Sequence, residues 1–109
     1  MDMPSFSETL IDQIWEKATV VEGFDASRWR KDFAGAWIQK DQYGIQSAFG
    51  WEVDHLKPVA AGGNDDIANL NPLHWRNNLS KGADSPIFKT SVSSEGNKNI
   101  YIEKTWRIS

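Results

Sequence analysis

A chain of 109 residues can bury roughly two-thirds of the surface its unfolded form exposes, enough for one core and not two. It has no cysteine, which excludes disulfides and thiolate zinc sites, so packing around its six Trp, five Phe and two Tyr carries the stability. A formal charge of -3 and a pI near 5.3 argue against a general nucleic-acid coat.

The charge is unevenly spread. Residues 1–71 hold six Lys and Arg against twelve Asp and Glu, and residues 72–109 hold six against three, so a polyanion is expected to meet the C-terminal part. No apolar run is long enough to span a membrane, and Met1 to Leu10 lacks the basic start and apolar stretch of a secretion signal. The expected location is the cytoplasm.

Ser7 to Ala18 reads as an amphipathic helix: Ser7 is the N-cap, Glu8 and Asp12 lie near the positive end of the dipole, and Leu10, Ile11, Ile14 and Trp15 share one face. Gly23-Phe24-Asp25 is a turn signal. Next, Arg28, Arg30 and Lys31 surround Trp29, either as a phosphate-contacting cluster or, the favoured reading, as a solvated basic edge with Trp29 tucked into the core. Ala36-Trp37-Ile38 suits a short strand.

Trp51 to His55 alternates with period 2 and reads as a strand ending at the Asp54-His55 pair. Pro58 stops it, and Gly62-Gly63-Asn64-Asp65-Asp66 marks a compact loop. Asn69 to Leu73 forms a second short strand or extended turn, and a helix of about two turns follows to Lys81, closed by Gly82. After the break at residues 82–86, two segments rich in β-branched and aromatic residues flank the polar stretch Ser93 to Asn99. That pattern predicts a hairpin with a long tip loop, or a partly mobile tail.

Strand, loop, strand, helix brings a residue one turn into the helix opposite the end of the first strand. The Asn78 amide oxygen can then meet the Asp54 carboxylate around a hard cation, a donor set that suits Mg²⁺ far better than zinc. His55 beside them is a candidate base, because an unperturbed imidazole titrates near neutral pH. His74 is either a third metal ligand or a helix-face histidine hydrogen-bonded to the loop. Arg76, Asn77 and Lys57 are candidate nucleic-acid contacts.

These residues resemble the HNH endonucleases. Asp54-His55, Pro58, Gly62-Gly63, Asn69-Leu70, Asn78 and Lys81 carry the likeness, with fourteen residues from His55 to Asn69 and nine from Asn69 to Asn78. Those separations are the ones in the HNH domain of RNA-guided CRISPR nucleases. The likeness runs well from Trp51 to Ala83 and extends more weakly to Trp29-Arg30-Lys31-Asp32, Trp37-Ile38 and Tyr43-Gly44, as in small stand-alone bacterial or phage members. Nothing past Pro86 adds to it.

The resemblance implies a ββα-metal core; with the N-terminal helix and the C-terminal β-hairpin read from the residues, the expected fold is α+β. All of residues 1–109 would form one domain, with the motif at about 44–83 and the hairpin at 84–109. It implies that Asp54 and Asn78 hold the metal, His55 activates water, Asn69 holds the loop and orients His55, and Lys81 lies near the scissile phosphate. The ion would be Mg²⁺, with Mn²⁺ or Ni²⁺ as substitutes, and the substrate DNA, cut to leave a 5′-phosphate and a 3′-hydroxyl. The family's last histidine is replaced here by Asn78, the HNN form. Two other expectations are a nucleic-acid-binding module with a decayed site and a Trp-rich protein-interaction domain.

Overall fold

Ser7 starts the first helix. In the computed structural model, which describes residues 6–108, its Oγ accepts from the Leu10 N–H at 3.2 Å, and α1 spans Glu8–Trp15. The helix stops three residues short of Ala18, where single-turn hydrogen bonds from Lys17 to Ile14 and from Ala18 to Trp15 close it. Met1 to Ser5, part of the stretch read for a secretion signal, lies outside the described residues. No helix among the described residues is long and apolar enough to cross a membrane.

Three two-stranded antiparallel sheets follow: β1 (Trp29–Lys31) with β2 (Trp37–Gln39), β3 (Trp51–His55) with β4 (Leu70–His74), and β5 (Ile87–Glu95) with β6 (Lys98–Arg107). The second helix, α2 (Trp75–Lys81), leaves β4 without a linker. Mixed helix and small antiparallel sheets agree with the α+β expectation.

In the central hairpin Trp51 faces His74 and His55 faces Leu70. Helix α1 packs on one side of it, where Ile14, Trp15, Ile38, Trp51, Val53 and Leu70 form the core, and α2 packs on the other. Both sides of β3 are therefore covered, and Asp54, on the face where alternation predicts polar residues, is only 4 % exposed.

Two details differ from expectation. The hairpin tip is a two-residue turn at Gly96-Asn97, with Gly96 at φ 61, because Ser93, Ser94, Glu95, Lys98 and Asn99 all join the ladder. Pairing extends through this polar stretch because its inward hydroxyls find partners: Ser93 Oγ accepts from Lys104 Nζ and Ser94 Oγ donates to the Gly35 carbonyl. The β5–β6 hairpin also lies against α2, so it is a wall of the structure and not a tail.

Around Trp29 the favoured reading holds in part. Arg30 is consumed by backbone carbonyls of Ala26, Glu16 and Ala18. Trp29 is half-buried, standing edge-on to Phe49 and Trp37.

Candidate active site

The loop between β3 and β4 is shaped by two residues. Gly63 passes so close to the Lys57 carbonyl that a Cβ there would lie 1.7 Å from its oxygen, so only glycine fits. Asn69 then staples the loop: its Oδ1 accepts from the Lys57 N–H at 2.8 Å, and its Nδ2 donates to the carbonyls of Lys57 at 3.0 Å and Asn64 at 2.9 Å. Asn69 thus acts on His55 through the backbone beside it, without touching the ring.

His55 ends β3, and its Nε2 lies 2.6 Å from Asp65 Oδ1. The carboxylate accepts, so Nε2 carries the proton and Nδ1 is left as the basic nitrogen. Asp65, 73 % exposed on the loop, was missed in the sequence because ten residues separate it from His55 and only the loop's fold joins them. The Phe6 ring stands 6.3 Å from the imidazole.

Asp54 is buried with Lys81. The Lys81 ammonium is 3.1 Å from Asp54 Oδ1, donates to the His55 carbonyl at 3.0 Å and lies 5.0 Å from the Phe88 ring centroid. Burial pushes the Asp54 carboxyl above the usual range, while the Lys81 charge and hydrogen bond pull it back. Its other oxygen, Oδ2, is the one buried side-chain nitrogen or oxygen among the described residues that lacks a partner. A buried carboxylate oxygen without a donor is costly, and a bound cation would relieve it.

Asn78 offers a second oxygen to such a cation. Its Nδ2 donates to Glu52 Oε1 at 3.0 Å, which leaves its Oδ1 free as an acceptor. Asp54, His55 and Asn78 together line a cleft of about 260 Å³ with Val53, Pro58 and Gly82. One carboxylate and one amide oxygen beside a histidine make a hard-oxygen donor set with room for retained water, which fits a divalent cation.

The other sequence candidates fall elsewhere. His74 is 2 % exposed and caps α2: its Nδ1 accepts from the Arg76 N–H at 3.1 Å, and its Nε2 lies 2.9 Å from the Ala48 carbonyl. Both ring nitrogens are engaged, and His74 does not line the Asp54 cleft, so the third-ligand reading is corrected to a helix cap. Asn77 is corrected as well. It is fully buried, with its amide bonded to Asp32, to the N–H groups of Ser91 and Val92, and to the Val92 carbonyl, and so is closed to nucleic acid. Lys81 is sealed against Asp54 instead of facing outward to a phosphate. Lys57 and Arg76 are exposed.

A comparison with protein families matches residues 44–84 to the HNH endonuclease. The segment belongs to that family. The HNH segment begins at Gly44, whose N–H bonds the Trp51 carbonyl, takes in β3, the loop, β4 and α2, and ends two residues past the α2 cap at Gly82. It contains His55, Asn69 and Asn78, the residues on which the sequence resemblance rests. An HNH segment points to nuclease-type function on nucleic acid, and HNH nucleases typically use divalent metals. Searches of curated proteins and of solved structures found no match.

Outside the HNH segment, Asp32 organises it from below. Its carboxylate accepts from the Ala36 and His74 N–H groups and from Asn77 Nδ2, tying the β1–β2 turn to the start of α2. Burial raises the Asp32 pKa and these donors oppose the rise. In the sequence Asp32 stands within the weaker part of the resemblance, Trp29-Arg30-Lys31-Asp32, with nothing to mark it as the group that fixes the start of α2.

Proposed function

We propose that the protein is a divalent-metal-dependent endonuclease of the ββα-metal kind, formed as one domain, that hydrolyses phosphodiester bonds in DNA. The observation that carries the reading is the unpartnered, buried Oδ2 of Asp54 beside the same cleft as His55 and Asn78. Asp54 and Asn78 would hold the ion, with Mg²⁺ suited to the oxygen donors and Mn²⁺ or Ni²⁺ as substitutes. A cation held there supplies electrostatic stabilisation of charge on the phosphoryl oxygens and the leaving oxygen.

The chain's own residues do the rest. His55, held by Asp65 through Nε2, accepts the proton of the attacking water at Nδ1 as the water oxygen bonds phosphorus and the bond to the leaving oxygen breaks. Asn69 keeps the loop, and with it the His55 backbone, in place. Lys81 keeps Asp54 charged inside the fold and fixes the His55 carbonyl. Glu52 turns the Asn78 oxygen to the cleft.

A decayed binding module would have no reason to keep His55, Asp54 and Asn78 on one cleft, and a Trp-rich docking domain leaves the unpartnered oxygen unexplained. Plasmid nicking in Mg²⁺ or Mn²⁺ tests the reading. The parent is expected to nick, EDTA to stop it, and His55→Ala to lose about 100-fold or more, the usual worth of a general base. Absent nicking by the parent, or equal nicking by His55→Ala, sinks it.

A further inference from the structure

The aromatic residues away from the Asp54 cleft are not all core. Phe24, Trp29, Trp37 and Phe49, with Asn97, line a cleft of about 240 Å³. The Phe24 and Trp37 rings are 4.6 Å apart, and Trp29 stands edge-on to Phe49 at 5.0 Å. The slot is preformed: Trp37 Nε1 donates to the Gly96 carbonyl at 2.8 Å, and its backbone N–H donates to Asn99 Oδ1 at 2.7 Å. Phe24 remains 43 % exposed.

A second cleft, of about 350 Å³, lies between α2 and β6 and is lined by Trp75, Arg76 and Tyr101. The exposed Arg76 guanidinium sits 4.3 Å from the Trp75 ring centroid and 5.5 Å from that of Tyr101, itself 74 % exposed. Asn99 joins the two clefts. It lines the second and also donates from Nδ2 to the Trp37 carbonyl beside the first, while Ala48 and Phe49, neighbours in the chain, line one cleft each. Arg76 and Asn78, two residues apart on α2, project from different sides of the helix, so this surface lies around the helix from the Asp54 cleft.

The second cleft pairs aromatic faces with a cation that lines it, and the first has a cation on its Trp37 ring, outside the residues that line it. In the first, Lys31 Nζ lies 4.9 Å from the Trp37 ring centroid. An ammonium ligand would compete with Lys31 for that face and meet its charge, whereas an anionic strand would be drawn to both Lys31 and Arg76. Base faces are free to stack only where they are unpaired. We infer that this surface holds an unpaired stretch of the DNA substrate, with bases against the exposed Phe24 and Tyr101 rings and phosphates at Lys31 and Arg76. The identity of the ligand rests on the nuclease reading, and the inference adds the substrate class: DNA with unpaired nucleotides.

Binding in EDTA separates the two. A labelled oligothymidylate is expected to bind about tenfold or more tighter than a blunt duplex of matched length. Phe24→Ala is expected to weaken it by about 5- to 100-fold, the range for loss of one base–aromatic stack. Arg76→Ala is expected to weaken it and to reduce the salt slope by about one phosphate. Circular dichroism and melting temperature should match the parent, since both side chains are exposed.

Equal binding of single strand and duplex overturns the inference. So does parent-like binding by both variants, or Phe24-dependent binding of a trimethyllysine peptide in place of the oligonucleotide. Nicking by the parent and its loss in His55→Ala are read in a separate assay, so either conclusion can fail alone.

Discussion

Lys81 shows how the site is built at the scale of one side chain. A lysine 1 % exposed loses its hydration, and what compensates is the Asp54 carboxylate, the His55 carbonyl and the face of Phe88. Removing one partner of such a pair leaves the other charge buried alone, which typically costs about 3–5 kcal/mol. Lys81→Met, similar in volume and uncharged, is therefore expected to lower the urea unfolding free energy by about that amount, and the double variant with Asp54→Asn by less than the two single losses added. A Lys81 that instead reached outward to a phosphate would give a variant with parent-like stability and altered nicking, and that result would refute the buried pairing.

Helix α2 is the element on which the site depends, since it carries Asn78 and Lys81 and begins at His74. Its cap works only with a neutral ring, because Nδ1 must accept from Arg76 N–H. Burial holds the His74 pKa below its ordinary value. The unfolded chain then binds the proton more readily, so the contribution is full above the unfolded value of about 6.5 and is lost as pH falls toward the folded one. Melting temperatures across mildly acidic pH should fall more steeply for the parent than for His74→Asn, which keeps a capping oxygen and does not titrate. Parallel profiles for the two would mean that His74 does not titrate against folding. The same helix marks the limit of what the sequence carries. The order β3, loop, β4, α2 was legible because alternation, Pro58, the paired glycines and Gly82 act locally. That Asn78 lines the Asp54 cleft was legible from the order of the elements and the family spacing, whereas the burial of Asn77 was not legible at all, since it depends on β5 arriving from fifteen residues further on. His74 was ambiguous for a related reason: a ring beside a helix start can cap it or reach past it, and the Ala48 carbonyl and the Asp32 carboxylate, each brought in by another segment, decide between them.

At the scale of the molecule, the segment that carries the family resemblance packs against residues beyond its end. Asn77 places four hydrogen bonds, three of them to the backbone of Ser91 and Val92 in β5. Phe88 and Val92 are 2–3 % exposed against the rest, and Trp106 Nε1 on β6 closes over Thr90 at 2.9 Å. The hairpin also reaches the far side of the structure, where Asn99 bonds both backbone groups of Trp37. A chain ended at Pro86 keeps every residue of the HNH pattern yet strands the Asn77 amide and uncovers the Lys81–Asp54 pair, each a loss of about 1–3 kcal/mol or more against a total stability of about 5–15 kcal/mol. It is therefore expected to show collapsed amide dispersion in an ¹H–¹⁵N spectrum, no cooperative melting transition and no nicking. If it instead melts cooperatively and nicks like the full chain, the hairpin is an ornament on an independent core, and the dependence of Asn78 and Lys81 on β5 is wrong.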